Sequence, residues 1–257
     1  MTDKKQTVFF EHILGIFMVF GVRELAGALA RAVWALFFQK TGNEEAAGLC
    51  ITGITALFML FALWPLYCIR IGREKEYNLL NRRTADWILL IPFGICAALG
   101  LNQFMNLLHL TEIKGSYEAT RQVLFSGTRV ISLLILGFAV PIAEELMFRG
   151  LIFRHLKSFM GRKTAVILSA LLFGVYHGNM VQGIYAFLMG LLLVWVYERF
   201  GSIFAPVLFH CAANSFVYLA ADVEALGQSD GIIASCVLGM AGAVFIFMHF
   251  YQKNNNI

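Results

Sequence analysis

Three groups of polar residues within residues 140–214 could perform acid–base chemistry, although the chain around them is strongly apolar. In chain order, the groups are Glu144-Glu145 with Arg149, Phe173 with His177, and His210 with Asn214. Ionisable side chains are costly inside a bilayer and are functional candidates there by default. Carboxylates, imidazoles and an amide could together activate a water molecule and stabilise the charge formed when it attacks a carbonyl group. The set therefore favours hydrolysis of a peptide bond.

The two adjacent glutamates are expected to have different tasks. Glu145 and Arg149 are four residues apart, so they share a helix face with the carboxylate on the favourable N-terminal side. Glu144 points about 100° away from that face and is free of this arginine. We therefore expect Glu145 to hold the geometry through an ion pair, and Glu144 to act as a general base.

Helical spacing also aligns the other groups. Phe173 and His177 are four residues apart, as are His210 and Asn214, so each pair shares a helix face. At a rise of 1.5 Å per residue, Glu144, His177 and His210 all lie roughly 10–20 Å from the predicted basic side of the membrane. Three helices that carry polar groups at a similar membrane depth predict one shared site. Isolated interhelical hydrogen bonds would not require the groups to lie at the same depth.

The composition indicates a membrane protein. The chain has 257 residues, of which 59% are hydrophobic and only 14% are charged, and its mean hydropathy is +0.72. Soluble domains contain roughly 25% charged residues, and a membrane span needs about 20 apolar residues. We therefore predict an all-α polytopic membrane protein with about eight transmembrane helices surrounding an intramembrane catalytic chamber. Residues 1–257 form a single domain, with the catalytic core at about 140–215.

The predicted spans are separated by short polar links. They cover residues 8–38, 47–69, 86–110, 120–155, 164–177, 181–197, 203–220 and 232–251. The first apolar run lacks a small-residue cleavage site, so we interpret it as a retained span rather than a signal peptide. Pro141 lies just before the paired glutamates and should kink or locally unwind the fourth helix.

The charge distribution predicts the orientation. In an eight-span topology, one side of the membrane contains the N-terminus, the basic loops at 70–83 and 154–163, Glu198-Arg199 and Lys253. The acidic loop after the seventh span lies on the other side. Loops rich in lysine and arginine favour the cytoplasmic side. We therefore expect a multi-pass protein of a prokaryotic plasma membrane, with cytoplasmic termini and a chamber reached from the cytoplasm.

Several other functions are disfavoured. Basic residues are scattered over loop ends instead of forming one face, which argues against a nucleic-acid partner. The five cysteines include no CxxC pair, so they predict neither a disulfide framework nor a zinc knuckle. We expect no cofactor and no metal. The sequence does not indicate an oligomeric state.

Two further polar features each allow two interpretations. Arg23-Glu24 lies deep in the first span, either as a charge pair satisfied against a neighbouring helix or with a role beside the chamber. Asn102, Asn106 and His109 lie on one helix face by their spacing. That face could line a wet cavity or supply interhelical hydrogen bonds.

The EExxxR, FxxxH and HxxxN groups, in this order, resemble those of the CPBP family (CAAX proteases and bacteriocin-processing enzymes, also called the Abi family). That family includes the type II CAAX prenyl endopeptidases. The resemblance covers about residues 140–215, and all the motif positions match. It implies an eight-helix glutamate-dependent intramembrane endopeptidase that acts on a membrane-associated peptide or protein, either a lipidated CAAX-like protein or a peptide precursor.

The resemblance also implies a role for each motif residue. Glu144, assisted by His177, would activate a water molecule for attack on the scissile carbonyl group. His210 and Asn214 would stabilise the oxyanion, and Glu145 with Arg149 would hold the geometry.

Three alternatives remain at this stage. The first is a zinc peptidase with Glu144, His177 and His210 as ligands, which is a legitimate catalytic set, although the chain has no HExxH motif. The second is a non-catalytic membrane scaffold or immunity-type regulator that binds a peptide or protein partner. The third, a secondary transporter, is less favoured because the polar residues cluster in one half of the chain instead of in paired broken helices.

Overall fold

The fold is a bundle of helices, as the composition predicts. The computed structural model describes residues 2–38, 44–73, 84–110, 128–221, 223 and 229–255, and the described residues contain no strand. Eight helical segments follow one another: α1 (Thr2–Val33, continued by a π-helical turn at Trp34–Phe38), α2 (Glu44–Arg73), α3 (Leu90–Leu107, preceded by a turn at Thr84–Ile88), α4 (Arg129–Met160), α5 (Arg162–Tyr176), α6 (Met180–Phe200), α7 (Phe204–Ala220) and α8 (Ser229–Asn255). Each predicted span falls on one of them, and the all-α class is confirmed.

Six of these helices, namely α1, α2, α3, α4, α6 and α8, are long and apolar enough to cross a membrane. The other two are shorter, with 15 residues in α5 and 17 in α7, where a full span needs about 20. The protein is therefore a polytopic membrane protein. The two short helices are those that carry His177 and His210, so both histidines lie at or near helices that need not traverse the whole bilayer.

Helix α4 is irregular on both sides of the paired glutamates. Its backbone is π-helical over Leu133–Ala139 and again over Leu146–Ile152, with α-helix at Val140–Glu145 between them. Proline lacks an N–H group and its ring crowds the carbonyl group four residues earlier, and a wider π turn relieves both problems. The irregularity predicted at Pro141 is confirmed. Helix α4 begins at Arg129, because Thr128 has an extended backbone, and residues 120–127 of the predicted span lie outside the described residues.

Side-chain contacts gather several helix ends at one end of the bundle. The Nδ1 atoms of His12 on α1 and His155 on α4 are 3.1 Å apart. Arg70, near the end of α2, donates a hydrogen bond to Ser158 of α4. These contacts bring together the elements that flank the predicted basic loops. We call this the basic end, and the opposite one the far end.

Two further sets of side-chain contacts connect α5, α6 and α8 at the basic end. Glu198 of α6 accepts hydrogen bonds from Lys157 and Arg162, which flank the turn between α4 and α5. Arg199 donates to the carbonyl oxygen of Phe250 in α8. The start of α1 and the last turns of α8 therefore share the basic end. The assignment of this end to the cytoplasm stays a prediction.

The predicted polar face of the third span is formed in part, because Asn102 and Asn106 both lie within α3 at a spacing of four residues, whereas His109 does not. Helix α3 ends at Leu107, and His109 has a left-handed backbone with φ of 54°, so it leaves the face on which spacing alone puts it. Asn106 donates to Gln103 of the same helix. This hydrogen bond lies within α3, and the two interpretations of the polar face stay open.

Candidate active site

The predicted ion pair between Glu145 and Arg149 is present at the centre of the bundle. Arg149 Nη1 lies 2.9 Å from Glu145 Oε1, and both side chains are fully buried. A buried charge must be paired and hydrogen-bonded to be tolerated. Arg149 gains two further contacts: Nη2 donates to the carbonyl oxygen of Gly190 in α6, and the guanidinium lies 4.5 Å from the centre of the Phe173 ring.

Gly190 makes room for this arrangement. A Cβ atom at this position would lie 3.1 Å from the Cα atom of Ala170 and 3.4 Å from Nη2 of Arg149. A larger residue would therefore separate α5 from α6 or displace the guanidinium. Gly190 could not be identified from the sequence, because its spacing to Arg149 carries no local signal.

His210 connects the two glutamates, which sequence spacing alone did not reveal. Its Nδ1 atom lies 2.8 Å from Oε1 of Glu145, and its Nε2 atom lies 3.9 Å from Oε2 of Glu144. The first distance is a hydrogen bond. The second is too long for one and suits a water molecule that contacts both groups. Glu145 therefore orients His210 as well as Arg149.

Glu144 faces a cavity of about 210 Å³ enclosed by α1, α2, α4 and α5. The side chain is nearly buried, with 6% of its surface exposed. The polar residues that share this lining are Arg23, Arg31, Thr52, Thr55 and Tyr176. The paired glutamates thus have different surroundings: Glu145 is completely buried and is paired through Oε1 with Arg149 and His210, whereas Glu144 reaches a partly polar space.

This cavity extends from Glu144 toward the far end of the bundle. Arg31 lies in the last turn of α1 and Thr52 lies two turns from the start of α2, and both ends are opposite the basic end. On the other side of the site, every side chain of α4 from residue 143 to residue 154 is buried. The opening predicted toward the basic side stays a prediction, because residues 74–83 of the basic loop lie outside the described part of the chain. Large apolar side chains such as Phe148 and Phe153 fill that side.

Arg23 lies beside the chamber. Its Nη1 atom is 2.5 Å from Oε1 of Glu24, its neighbour in sequence, and its side chain also forms a hydrogen bond with Tyr176 of α5. Its guanidinium lies 5.0 Å from the centre of the Tyr176 ring, and Tyr176 and Glu144 line the same cavity. Of the two interpretations of Arg23-Glu24, the structure supports the position beside the chamber.

His177 lies at the C-terminal cap of α5 and is half-buried. Its Nδ1 atom is 2.8 Å from the carbonyl oxygen of Phe173, which requires Nδ1 to carry the proton and leaves Nε2 as an acceptor in the neutral ring. Within the described part of the chain, His177 makes no hydrogen bond to Glu144. The Phe173 ring touches the edges of both histidines, with centroid distances of 4.9 Å to His177 and 5.9 Å to His210.

Asn214 lies one turn beyond His210 on α7, toward the far end. Its Nδ2 atom donates to the carbonyl oxygen of Leu136, 3.2 Å away, in the first π-helical stretch of α4. An amide nitrogen carries two hydrogens, so one remains available to another acceptor. Asn214 therefore ties α7 to the irregular part of α4 and can still serve as a donor.

The described residues do not form a metal site. No three His, Cys, Asp or Glu side chains among them lie together in an arrangement that could hold an ion, which includes the proposed zinc set of Glu144, His177 and His210. The five cysteines are all free thiols.

A second, larger cavity lies where α5 crosses α6. It has a volume of about 480 Å³ and its lining is almost entirely apolar, with Gly174, Val175 and Gly178 flanking His177 in the sequence. Gly174 and Gly183 let the two helices approach closely, since a Cβ atom on Gly174 would lie 2.7 Å from the carbonyl oxygen of Gly183. This space can hold an apolar group, and its lining includes Gly178, which follows His177 in the sequence, but none of the six candidate site residues.

Comparison with known families agrees with the motif resemblance. Residues 126–216 match the model of the family described as type II CAAX prenyl endopeptidase Rce1-like. This segment contains all six predicted site residues, from Glu144 to Asn214. The resemblance to CAAX-type membrane peptidases is therefore confirmed for this part of the chain.

Two curated proteins are similar over part of their length. "UPF0177 protein YxdF" of Lactococcus lactis subsp. lactis (strain IL1403) is 31% identical over 83 residues, which are 32% of this chain and 45% of that protein. "Putative membrane peptidase YdiL" of Bacillus subtilis (strain 168) is 26% identical over 107 residues, which are 41% of this chain and 44% of that protein. The chain thus matches slightly less than half the length of these relatives. No solved structure matches it significantly.

Proposed function

We propose that this protein is a glutamate-dependent intramembrane endopeptidase. The observation that carries the proposal is the position of Glu144, a nearly buried carboxylate that lines a partly polar cavity 3.9 Å from Nε2 of His210. The match of residues 126–216 to a family of membrane endopeptidases supports the same activity.

In the proposed reaction, Glu144 takes a proton from a water molecule as the water oxygen attacks the scissile carbonyl carbon. A general base must lie within hydrogen-bond reach of the proton it removes, directly or through one water. The space between Glu144 and His210 meets this requirement. Glu144 then passes the proton to the leaving amine, so the carboxylate is regenerated and the peptide bond is cleaved.

His210 and Asn214 are placed to stabilise the oxyanion. When Nδ1 of His210 donates to Glu145 and the ring carries a positive charge, Nε2 also has a proton to donate. Asn214 offers the hydrogen that Leu136 does not use. A donor of this kind is worth on the order of 3 kcal/mol in a dry site. His177, with Nε2 as an acceptor, would hold the attacking water or accept a proton.

The proposed substrate is a peptide or protein associated with the membrane. The apolar cavity between α5 and α6, whose lining includes Gly178, supports a substrate that carries an apolar residue or a lipid chain. The proposed location is a prokaryotic plasma membrane, with the basic end in the cytoplasm. In that orientation, the Glu144 cavity opens toward the opposite face.

Comparison of membrane peptides from cells that carry the wild type or Glu144→Gln would test the proposal. We expect some peptides to remain untrimmed in the variant. Glu198→Gln is a matched control. Glu198 lies at the basic end, where it forms ion pairs with Lys157 and Arg162. Identical peptide sets for wild type and Glu144→Gln would favour the non-catalytic scaffold.

The zinc-peptidase alternative receives no support from the described geometry. Both histidines use Nδ1 for other partners, and Glu144, His177 and His210 do not gather around one point. Purified protein that keeps full activity in a strong chelator would agree with the glutamate mechanism, and reversible loss of activity would reject it.

A further inference from the structure

We infer that two arginines of α1, Arg23 and Arg31, form a subsite that binds a carboxylate of the peptide substrate. The inference depends on the proposed function for its substrate, because the carboxylate would belong to the same peptide whose bond Glu144 hydrolyses. Neither arginine belongs to the three motifs that identified the site.

The two arginines lie on one face of α1. Arg23, Gly27 and Arg31 follow at intervals of four residues, which places them in one stripe along the helix, and all three line the Glu144 cavity. The rise of the helix separates Arg23 from Arg31 by about 12 Å. Gly27 leaves room between them, since a Cβ atom there would be 3.4 Å from Nη1 of Arg31. The stripe therefore leads from the region of Glu144 to the far end of the chamber.

The charges of this lining are not balanced. Arg23 is paired with Glu24, but Glu24 is largely exposed, and the buried Nε atom of Arg23 has no hydrogen-bond partner. Arg31 forms no hydrogen bond or ion pair within the part of the chain that the structure describes. Among the lining residues, Glu144 is the acidic one, and the proposed reaction uses it. The lining thus has guanidinium donors available for an added anion.

The lining of the cavity favours a peptide carboxylate over a lipid phosphate. Arg31 is exposed, and an exposed arginine near the end of a membrane helix can extend toward lipid headgroups, but Arg31 shares its cavity with Thr52 and Thr55 of α2 and with Glu144. At about 210 Å³, the space is smaller than the 300–1,000 Å³ typical of pockets for drug-sized ligands. It suits a short peptide segment. Guanidinium groups bind carboxylates through paired, charge-assisted hydrogen bonds.

The carboxylate could come from two positions on the substrate, either its C-terminus or an acidic side chain near the scissile bond. Three synthetic peptides separate these sources: N-lauroyl-tetraalanine as the free acid, the same peptide as the C-terminal amide, and an amide in which glutamate replaces the third alanine. Binding would be measured by calorimetry to the full-length protein in uncharged detergent. The protein would carry Glu144→Gln so that the peptides stay intact.

We expect the free acid or the glutamate-containing amide to bind at least about tenfold more tightly than the plain amide. Which of the two binds more tightly identifies the source of the carboxylate. Arg31→Gln, added to the Glu144→Gln protein, should remove most of this preference, and Arg23→Gln should reduce it. Arg129→Gln is the matched control, because Arg129 is exposed at the start of α4 and does not line the cavity.

Equal binding of the three peptides, or binding of none, would overturn the inference. A preference that survives the double substitution of Arg23 and Arg31 would do the same. If inorganic phosphate displaced the peptide acid at equal concentration, the site would be a general anion site and the carboxylate assignment would be wrong.

Hydrolysis of the same peptides by the protein with Glu144 intact separates this inference from the proposed function. Preferential binding of the acid without any hydrolysis would reject the peptidase and retain the subsite. Equal hydrolysis of the acid and both amides would reject the subsite and retain the peptidase.

Discussion

His210 and Glu145 are 65 residues apart in the sequence and are joined by a hydrogen bond of 2.8 Å between Nδ1 and Oε1. The same carboxylate oxygen accepts the hydrogen bond from Arg149. Glu145 therefore links α4 to α7 and fixes the direction of the His210 ring, whose other nitrogen lies toward Glu144. The glutamate that the sequence assigns to structure also positions a catalytic candidate.

Replacement of Glu145 should reduce both stability and activity. In Glu145→Ala, the fully buried guanidinium of Arg149 loses its counter-charge, and such a stranded charge costs roughly 3–5 kcal/mol. His210 also loses the group that orients it. We expect a clearly lower midpoint of thermal unfolding for the purified protein, together with loss of hydrolysis.

A double variant separates the two effects of Glu145. Glu145→Leu with Arg149→Met removes both charges, and apolar replacement of a buried ion pair is often neutral or stabilising. The double variant should recover much of the stability but not the activity, because His210 stays unoriented. A Glu145→Ala protein that unfolds at the wild-type temperature would contradict the importance of the pair.

Glu144→Gln should keep the fold and abolish cleavage. The amide matches the carboxylate in shape but cannot accept the proton of the attacking water, and Glu144 is not part of the Arg149 pair. Hydrolysis assays and thermal unfolding on the same purified sample would check both parts. Glu198→Gln should keep activity in parallel, because Glu198 lies at the basic end and does not line the Glu144 cavity. Turnover at the wild-type rate by Glu144→Gln would exclude Glu144 as the base.

The cavity beside Glu144 should be reached from the far end of the bundle. On a background in which the native cysteines are replaced, Thr52→Cys would line this cavity and Ser158→Cys would mark the basic end. A small membrane-impermeant thiol reagent should label the two cysteines from opposite sides of sealed vesicles. If the basic end is cytoplasmic, Thr52→Cys should react from outside the cell.

Two labelling results would contradict either the direction of the chamber or the predicted orientation of the protein in the membrane. Labelling of both cysteines from the same side would show that the chamber does not open toward the far end. Labelling of Ser158→Cys only from outside would reverse the orientation that the basic loops predict.

The close contact at Gly190 should be sensitive to a single methyl group. Gly190→Ala puts a Cβ atom 3.1 Å from Ala170 and 3.4 Å from the guanidinium of Arg149, and overpacking of this kind typically costs about 1–3 kcal/mol. We expect lower thermal stability and lower activity. Gly21→Ala is the control, because no heavy atom lies within 4 Å of that position, and alanine favours the helix by up to about 1 kcal/mol. Equal losses in both variants would contradict the packing argument.

The sequence by itself determined the features that depend on local order along the chain. Apolar segments of membrane length predict helices because a backbone in lipid must satisfy its hydrogen bonds internally. A spacing of four residues predicts the Glu145–Arg149 contact, since such residues are neighbours on a helix surface. Pro141 predicts irregular backbone through its missing N–H group. The helical class, the ion pair and the position of the irregularity were all predictable for these reasons.

Only the tertiary structure determined which face of each helix packs against its neighbours. Counting residues gives the depth of a side chain but not the rotation of its helix, so the contacts of His210 with Glu145 and of Arg23 with Tyr176 could not be derived. The direction of the chamber depends on which side of Glu144 is filled by the buried side chains of α4 and which side is left open between α1 and α2. Such packing joins residues far apart in the chain, and local periodicity carries no information about it.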